Sequence, residues 1–176
     1  MKLTSDRLIF RPWTQEDAGA LYALASDPEL GPACGWQPHR NPEESRKTIL
    51  LRLSGEHDFA LTLKETGELA GCVSLYKGST CDRDDFELGY WLGRPYWGQG
   101  LMTEAARRMM KYAFTQLESP RLWVAHAVGN EASRRVIEKL RFRREFLKEE
   151  ILVALGERRL TYYYSRYRAE ERRGGE

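Results

Sequence analysis

The run Tyr96 to Ala105, YWGQGLMTEA, limits what this chain can fold into more than any other stretch. Before it, Phe86 to Leu92 alternates as a half-buried strand does: Phe86, Leu88, Tyr90 and Leu92 share one face, and Glu87, Gly89 and Trp91 share the other. After it, Ala106, Met109, Met110, Ala113 and Leu117 recur at helical spacing. Gly98 and Gly100 let the backbone turn sharply between the two and admit a ligand close to it. The first amides of the helix have no partner within it, and the helix dipole adds positive potential there. Strand, glycine turn and helix N-terminus together form an anion site, most often for phosphate, so a phosphate-bearing cofactor is expected.

At 176 residues the chain reads as one domain over 1–168, followed by a disordered tail over 169–176. A chain of this size buries roughly 70% of its unfolded surface and needs no disulfides. Its net charge of +2 is too small to imply a nucleic-acid partner. The arginines crowding the last third, among them Arg134, Arg135, Arg141, Arg143, Arg144, Arg158, Arg159, Arg166 and Arg168, are interleaved with acids and read as a solvated mixed surface. Cys34, Cys72 and Cys81 lack CxxC spacing, so buried free thiols are expected and no metal site. No apolar run approaches the ~18 residues of a membrane span, and the first residues show no signal-peptide pattern. The expectation is a cytoplasmic protein.

Arg7 to Arg11 reads as a strand stopped by Pro12. Thr14 and Asp17 open a helix carrying Ala18, Leu21, Leu24 and Ala25, and Gly31 to Arg40 reads as irregular. Asn41-Pro42-Glu43-Glu44 starts a second helix. Phe59 to Leu63 and Leu69 to Tyr76 are strands, followed by a polar loop from Ser79 to Asp85, and Gly89 predicts a bulge or a close backbone approach. Arg121 to Val128 is a strand, and Asn130 caps a helix with Val136, Ile137 and Leu140 inward. Three further strands are expected, around Phe142 to Phe146, Glu149 to Leu155 and Arg158 to Tyr167, with Gly156-Glu157 as a tight hairpin turn. The pattern gives roughly seven strands and four helices in a mixed α/β sheet.

Three readings of the glycine turn compete. A P-loop needs a lysine and a hydroxyl residue after its last glycine, where Leu101 and Met102 stand. A dinucleotide turn needs a third glycine, where Thr103 stands, and an acid closing the next strand, whereas Glu118 precedes it. The third reading is the pyrophosphate turn of an acyl-coenzyme A enzyme. Ser5-Asp6-Arg7-Leu8-Ile9-Phe10-Arg11-Pro12-Trp13, Leu88-Gly89-Tyr90-Trp91-Leu92, the WGQGLMTEA turn, Asn130-Glu131-Ala132-Ser133 and Glu138-Lys139-Leu140-Arg141-Phe142 occur in this order. In them the chain resembles the GNAT superfamily of N-acetyltransferases, in the branch similar to ribosomal-protein (Rim-type) acetyltransferases. The resemblance runs from about Thr4 to Arg168.

That resemblance implies an α/β (α+β) acyl-CoA N-acyltransferase fold. Its sheet would be mixed but mostly antiparallel, six- to seven-stranded, with a central splay and about four flanking helices. It implies acetyl-CoA as donor, no metal, a primary amine as acceptor (a protein N-terminus or a small molecule), and direct attack in a ternary complex by a monomer or homodimer. Residues Trp97, Gly98, Gln99, Gly100, Leu101, Met102 and Thr103 would form the pyrophosphate turn, with the Met102 side chain narrowing the space above it. The backbone of Trp91 and Leu92 would pair with the pantetheine arm as an added strand does. Asn130 would reach that arm, cap its helix, or both. Arg141 stands where the branch usually has a left-handed glycine.

For the chemistry, Glu87 beside the splay is the candidate to take the amine proton, against an ordinary strand carboxylate. Ser133 and Tyr163, one of Tyr162 to Tyr164, are candidates to protonate the departing thiolate. Arg135, with Arg134 and Lys139, is a candidate for the adenosine phosphate, against plain solvated charge. His126 reads as structural. The loop at Trp36, Pro38 and His39 reads either as acceptor wall or as packing. The alternative function is an acyl-CoA-binding sensor on the same fold without turnover.

Overall fold

The computed structural model describes residues 3–171 apart from 79, 81 and 83. Cys81, part of the loop from Ser79 to Asp85, and the tail beyond Glu171 lie outside the described residues.

The alternating segments pair into one eight-stranded sheet, in the order β1-β2-β3-β4-β5-β6-β8-β7. The strands are β1 Leu3–Thr4, β2 Leu8–Pro12, β3 Asp58–Leu63, β4 Leu69–Tyr76, β5 Phe86–Leu92, β6 Arg121–Ala127, β7 Arg143–Leu152 and β8 Glu157–Tyr167. Every neighbouring pair is antiparallel except β5 and β6. The helices are α1 Ala18–Ala25, α2 Leu30–Cys34, α3 Pro42–Arg52, α4 Leu101–Thr115, α5 Glu131–Lys139 and α6 Arg168–Glu171.

The alternation in β5 divides the core in two. Leu88 and Leu92 join Leu101, Met109, Met110, Ala113 and Phe114 of α4 and Ile137 of α5 on one face. Trp91 packs on the other face against Trp13, Ala18, Leu21 and Ile49, from the segment carrying α1 and α3. Asn41 accepts the amide of Glu44 at 2.9 Å and Pro42 fills the first position of α3, as that cap pattern requires.

Several expectations need correction. The segments around Phe142–Phe146 and Glu149–Leu155 form one strand, β7, because a bulge between Arg144 and Phe146 absorbs the irregularity without breaking the ladder to β8. The eighth strand is β1, only two residues long and too short to leave a pattern. The stretch from Gly31 contains the short helix α2, ended by Gly35 at φ 90°. The β7–β8 loop places its left-handed residue last, at Gly156 (φ 67°), so it is not the two-residue turn expected. Of the two readings of Gly89 the bulge falls, since Ser74 and Gly89 pair in unbroken register, and the close approach holds, with the Tyr76 ring 2.9 Å from where a Cβ would stand. The tail begins with α6, tied down where the Arg168 amide reaches the Pro120 carbonyl at 3.0 Å. Cys72 is buried, which pushes its thiol up to about 12, but Cys34 is exposed on α2.

Arg141 takes φ 57°, the left-handed geometry expected of a glycine there. That conformation costs an L-residue about 1–2 kcal/mol. Arg141→Gly is therefore expected to stabilise the protein by up to about 1 kcal/mol, a rise in Tm of about 2–4 °C in a domain of this size. Calorimetry showing an unchanged or lower Tm would contradict the assignment of strain.

Candidate active site

β5 and β6 run in register only over Phe86–Leu122, Glu87–Trp123 and Leu88–Val124. β5 continues to Leu92 and β6 to Ala127 without further pairing to each other, so the sheet splays open from Gly89 onward. Each strand stays paired on its outer side, β5 to β4 and β6 to β8, which holds the gap fixed. The splay leads directly to the glycine turn.

Gly98 (φ 74°) and Gly100 (φ 77°) are both left-handed, a conformation only glycine adopts cheaply. The first intrahelical bond of α4 runs from the Glu104 amide to the Gly100 carbonyl, so the amides of Leu101, Met102 and Thr103 lie ahead of the ladder. Leu101 and Met102 bury their side chains in the core. Met102 therefore offers its amide without narrowing the space over the turn, contrary to expectation. The turn itself is clasped from the far end of the sequence. Arg7 donates through Nη1 to the Gln99 carbonyl (3.0 Å) and through Nε to Glu104 (2.8 Å), while the Arg7 amide and the Ser5 hydroxyl also bond Glu104. Burial pushes the Glu104 carboxyl up, but these bonds outweigh it and hold the group below its ordinary value.

Across the splay, Asn130 caps α5 by accepting the Ser133 amide at 3.1 Å. The Ser133 hydroxyl lies 3.0 Å from the Tyr90 hydroxyl, joining α5 to β5. Burial raises the Tyr90 phenol well above its ordinary value, and the Ser133 bond opposes that shift. Trp97 turns its indole back to the Leu92 carbonyl at 2.7 Å, so that carbonyl is already engaged. Arg135 is exposed, with its Nε 3.3 Å from the Glu131 carbonyl, whereas Arg134 is held between Glu131 and Glu138 at 2.6 Å.

Glu87 lies on the other face of β5 and is 6% exposed. Two glycines make room for it. A Cβ on Gly89 would stand 2.9 Å from the Tyr76 ring, and a Cβ on Gly78 would collide with the Glu87 carboxylate. The Tyr76 ring lies over Gly89, and its hydroxyl donates to Glu87 at 3.0 Å. Burial pushes the Glu87 carboxyl above its ordinary value; nearby Glu150 adds to the push, while Tyr76 and Lys148 oppose it. Lys148 at 2.9 Å, with help from the Tyr163 hydroxyl, holds Glu150 below the ordinary range despite its partial burial. Two carboxyls with pKa values driven apart are a recurring acid–base arrangement.

Tyr163 is buried, stacks on Phe146 (ring centroids 5.0 Å) and donates to Glu150 at 2.9 Å, so its proton is directed at a carboxylate. His126 lies on the opposite face of β6, stacked with Tyr164 and bonded to it at 3.1 Å, which is a structural role. Trp36 meets Trp91 edge-on at 6.2 Å and His39 at 5.3 Å, on the Glu87 face of β5. Tyr76, Tyr90, Glu150 and Arg7 are the site residues that sequence reasoning passed over. Tyr90 carried the one available signal, a phenol at a core position that needs a polar partner.

A mostly antiparallel sheet that splays beside a left-handed turn and a helix N-terminus is the fold of the acyl-CoA N-acyltransferases. The chain belongs to the GNAT acetyltransferase family: residues 7–143 match the model of the acetyltransferase (GNAT) domain. It is similar to the uncharacterized N-acetyltransferase p20 of Bacillus licheniformis, at 30% identity over 96% of this chain and 97% of that one. A GNAT-family acetyltransferase from Bacillus anthracis superposes with a TM-score of 0.85 at 24% identity, covering 96% of this chain and 99% of the other. The ribosomal-protein-S5-alanine acetyltransferase of Vibrio fischeri superposes at 0.75 with 20% identity, covering 96% and 97%. Among the described residues no group of side chains is arranged to hold a metal ion, and no helix is long and apolar enough to cross a membrane. The protein is an acyltransferase.

Proposed function

We propose that the protein transfers an acetyl group from acetyl-CoA to a primary amine by direct attack in a ternary complex. The observation that carries this reading is the splay. An open slot between β5 and β6 ends at unpartnered helix amides, which suits a linear arm tipped with pyrophosphate. The amides from Gln99 to Thr103 hold the pyrophosphate, and the edge of β5 that β6 leaves open at Trp91 and Leu92 lines the arm, with the Leu92 carbonyl kept by Trp97. Asn130 faces the same slot from α5, and Arg135 is the exposed cation for the adenosine phosphate.

Glu87 takes the proton of the attacking amine, directly or through one water, while Tyr76 positions its carboxylate. The amine nitrogen bonds the thioester carbon, the C–S bond breaks, and the thiolate takes a proton from the Ser133 hydroxyl, backed by Tyr90. Tyr163 serves by holding Glu150. The products are an amide and a free thiol; solvent then carries the proton from Glu87 back to Ser133, so that both residues are restored and atoms and protons balance over the cycle. The acceptor is a protein N-terminus or a small-molecule amine; the Vibrio fischeri enzyme is named for an alanine of ribosomal protein S5.

Acetyl-CoA at a hundredfold its Kd is expected to stabilise the protein by about 2.7 kcal/mol. Scanning calorimetry with acetyl-CoA, and with CoA as competitor, reads this directly. A melting curve unmoved at saturation would refute cofactor binding. Thiol release against a panel of amines and peptide N-termini, read by mass spectrometry, separates turnover from an acyl-CoA sensor that binds without reacting.

A further inference from the structure

β7 closes the sheet, so one of its edges faces no strand among the described residues. An open edge carries a row of backbone donors and acceptors ready to pair with another chain, and proteins usually blunt such edges with charge. β7 is charged, but in a particular order: Arg143, Arg144, Glu145, Phe146, Leu147, Lys148, Glu149, Glu150. Read from either end, opposite signs fall at matching positions. Phe146, Leu147 and Ile151 in the same strand are 39%, 43% and 66% exposed.

The bulge decides which residues can meet. Arg144 lies 3.9 Å over the Tyr162 ring, Leu147 pairs with Tyr162, and Glu149 holds Arg158 at 2.9 Å, which places these three on one face of the sheet. Glu145 bonds Ser165 at 2.5 Å, Phe146 stacks on Tyr163, and Lys148 meets Glu150, which places these on the other face together with Arg143 opposite Ser165. In an antiparallel ladder, residues directly opposite each other share a face. A two-fold axis perpendicular to the sheet at Leu147 satisfies that rule throughout. Leu147 meets its own copy, and Phe146 with the bulged Glu145 meets Lys148. Beyond the bulge, Arg144 meets Glu149 on one face and Arg143 meets Glu150 on the other. Symmetry repeats each contact, giving four arginine–glutamate pairs. Moving the axis by one residue sets Lys148 against Lys148 or against Arg143, and moving it to Glu149 sets that carboxylate against itself. A one-residue slip also reverses faces.

We propose that β7 is a homodimerisation edge, pairing antiparallel with β7 of a second copy of this chain about an axis at Leu147, so that two eight-stranded sheets become continuous. The pattern accepts itself in one register and repels the neighbouring ones, which is how a charged edge gains specificity.

Sedimentation equilibrium of the full chain is expected to give twice the 20.5 kDa chain mass. Arg144→Glu sets two glutamates against Glu149, and Glu149→Arg sets two arginines against Arg144; each variant alone is expected to sediment as a monomer. An equimolar mixture of the two is expected to sediment as a dimer again, because every mixed contact then opposes unlike charges. Independently of any variant, amides of residues 144–150 in the wild-type chain are expected to exchange more slowly as protein concentration rises. A monomeric wild type, a dimer indifferent to Arg144→Glu, a mixture of folded variants that stays monomeric, or exchange independent of concentration would each overturn the proposal.

Discussion

Glu87→Gln is expected to lower kcat by about two orders of magnitude, the usual worth of a positioned general base, and to leave the Kd for acetyl-CoA unchanged. The substitution keeps the shape of the side chain and an oxygen for the Tyr76 hydroxyl, removing only the affinity for a proton. Only the ionised carboxylate accepts that proton, so the wild-type rate should fall on the acid side. Burial and Glu150 place the limb above the ordinary carboxylate range, and the variant should lack it. Stability should move the other way. A carboxyl whose folded pKa is raised contributes most below its unfolded value and loses that contribution as pH rises through the folded one. At neutral pH Glu87→Gln should therefore keep or raise Tm. A variant with the wild-type rate and an intact acid limb would remove Glu87 from the chemistry.

Gly100→Val is expected to weaken acetyl-CoA binding by tenfold or more. Gly100 sits at φ 77°, where an L-residue costs about 1–2 kcal/mol, and about 1.4 kcal/mol is one decade of affinity. A side chain there also points toward the Arg7 guanidinium, 3.7 Å from the Cβ position. Relief of the backbone strain would tilt the turn and misdirect the amides of Leu101 to Thr103. Gly67→Val is the matched control: its φ of 75° costs similar stability, but it lies in the turn between β3 and β4. Titration calorimetry should show lost affinity for the first and none for the second. Equal affinities would mean that the turn does not hold the pyrophosphate.

The strand, turn and helix around Gly100 were legible in the sequence because each signal is local: alternation, two glycines, then helical spacing. The cap at Asn41 was readable for the same reason, whereas the left-handed Arg141 was expected only from the family resemblance. The surroundings of Glu87 were not. Tyr76 reaches it from β4, and Glu150 and Lys148 act on it from β7, so their roles exist only once strands distant in sequence lie side by side. Met102 shows the complementary failure. Position in a motif placed it over the ligand, while its packing against the core turned the side chain away. Exposure of Cys34 likewise depended on α2, a helix of five residues containing Gly31 and Pro32, which no helix-propensity reading favours.

The bonds from Arg7 and Ser5 to Glu104 and Gln99 span more than ninety positions of the chain. Contacts that long form late in folding, after the cost of closing the loop between them has been met. During synthesis, the segment that will cradle pyrophosphate emerges with its sequence complete and its shape unfinished. Its clasp is complete only when the loop between β1 and β2 brings Ser5 and Arg7 beside it, so the finished donor site comes with the completed fold.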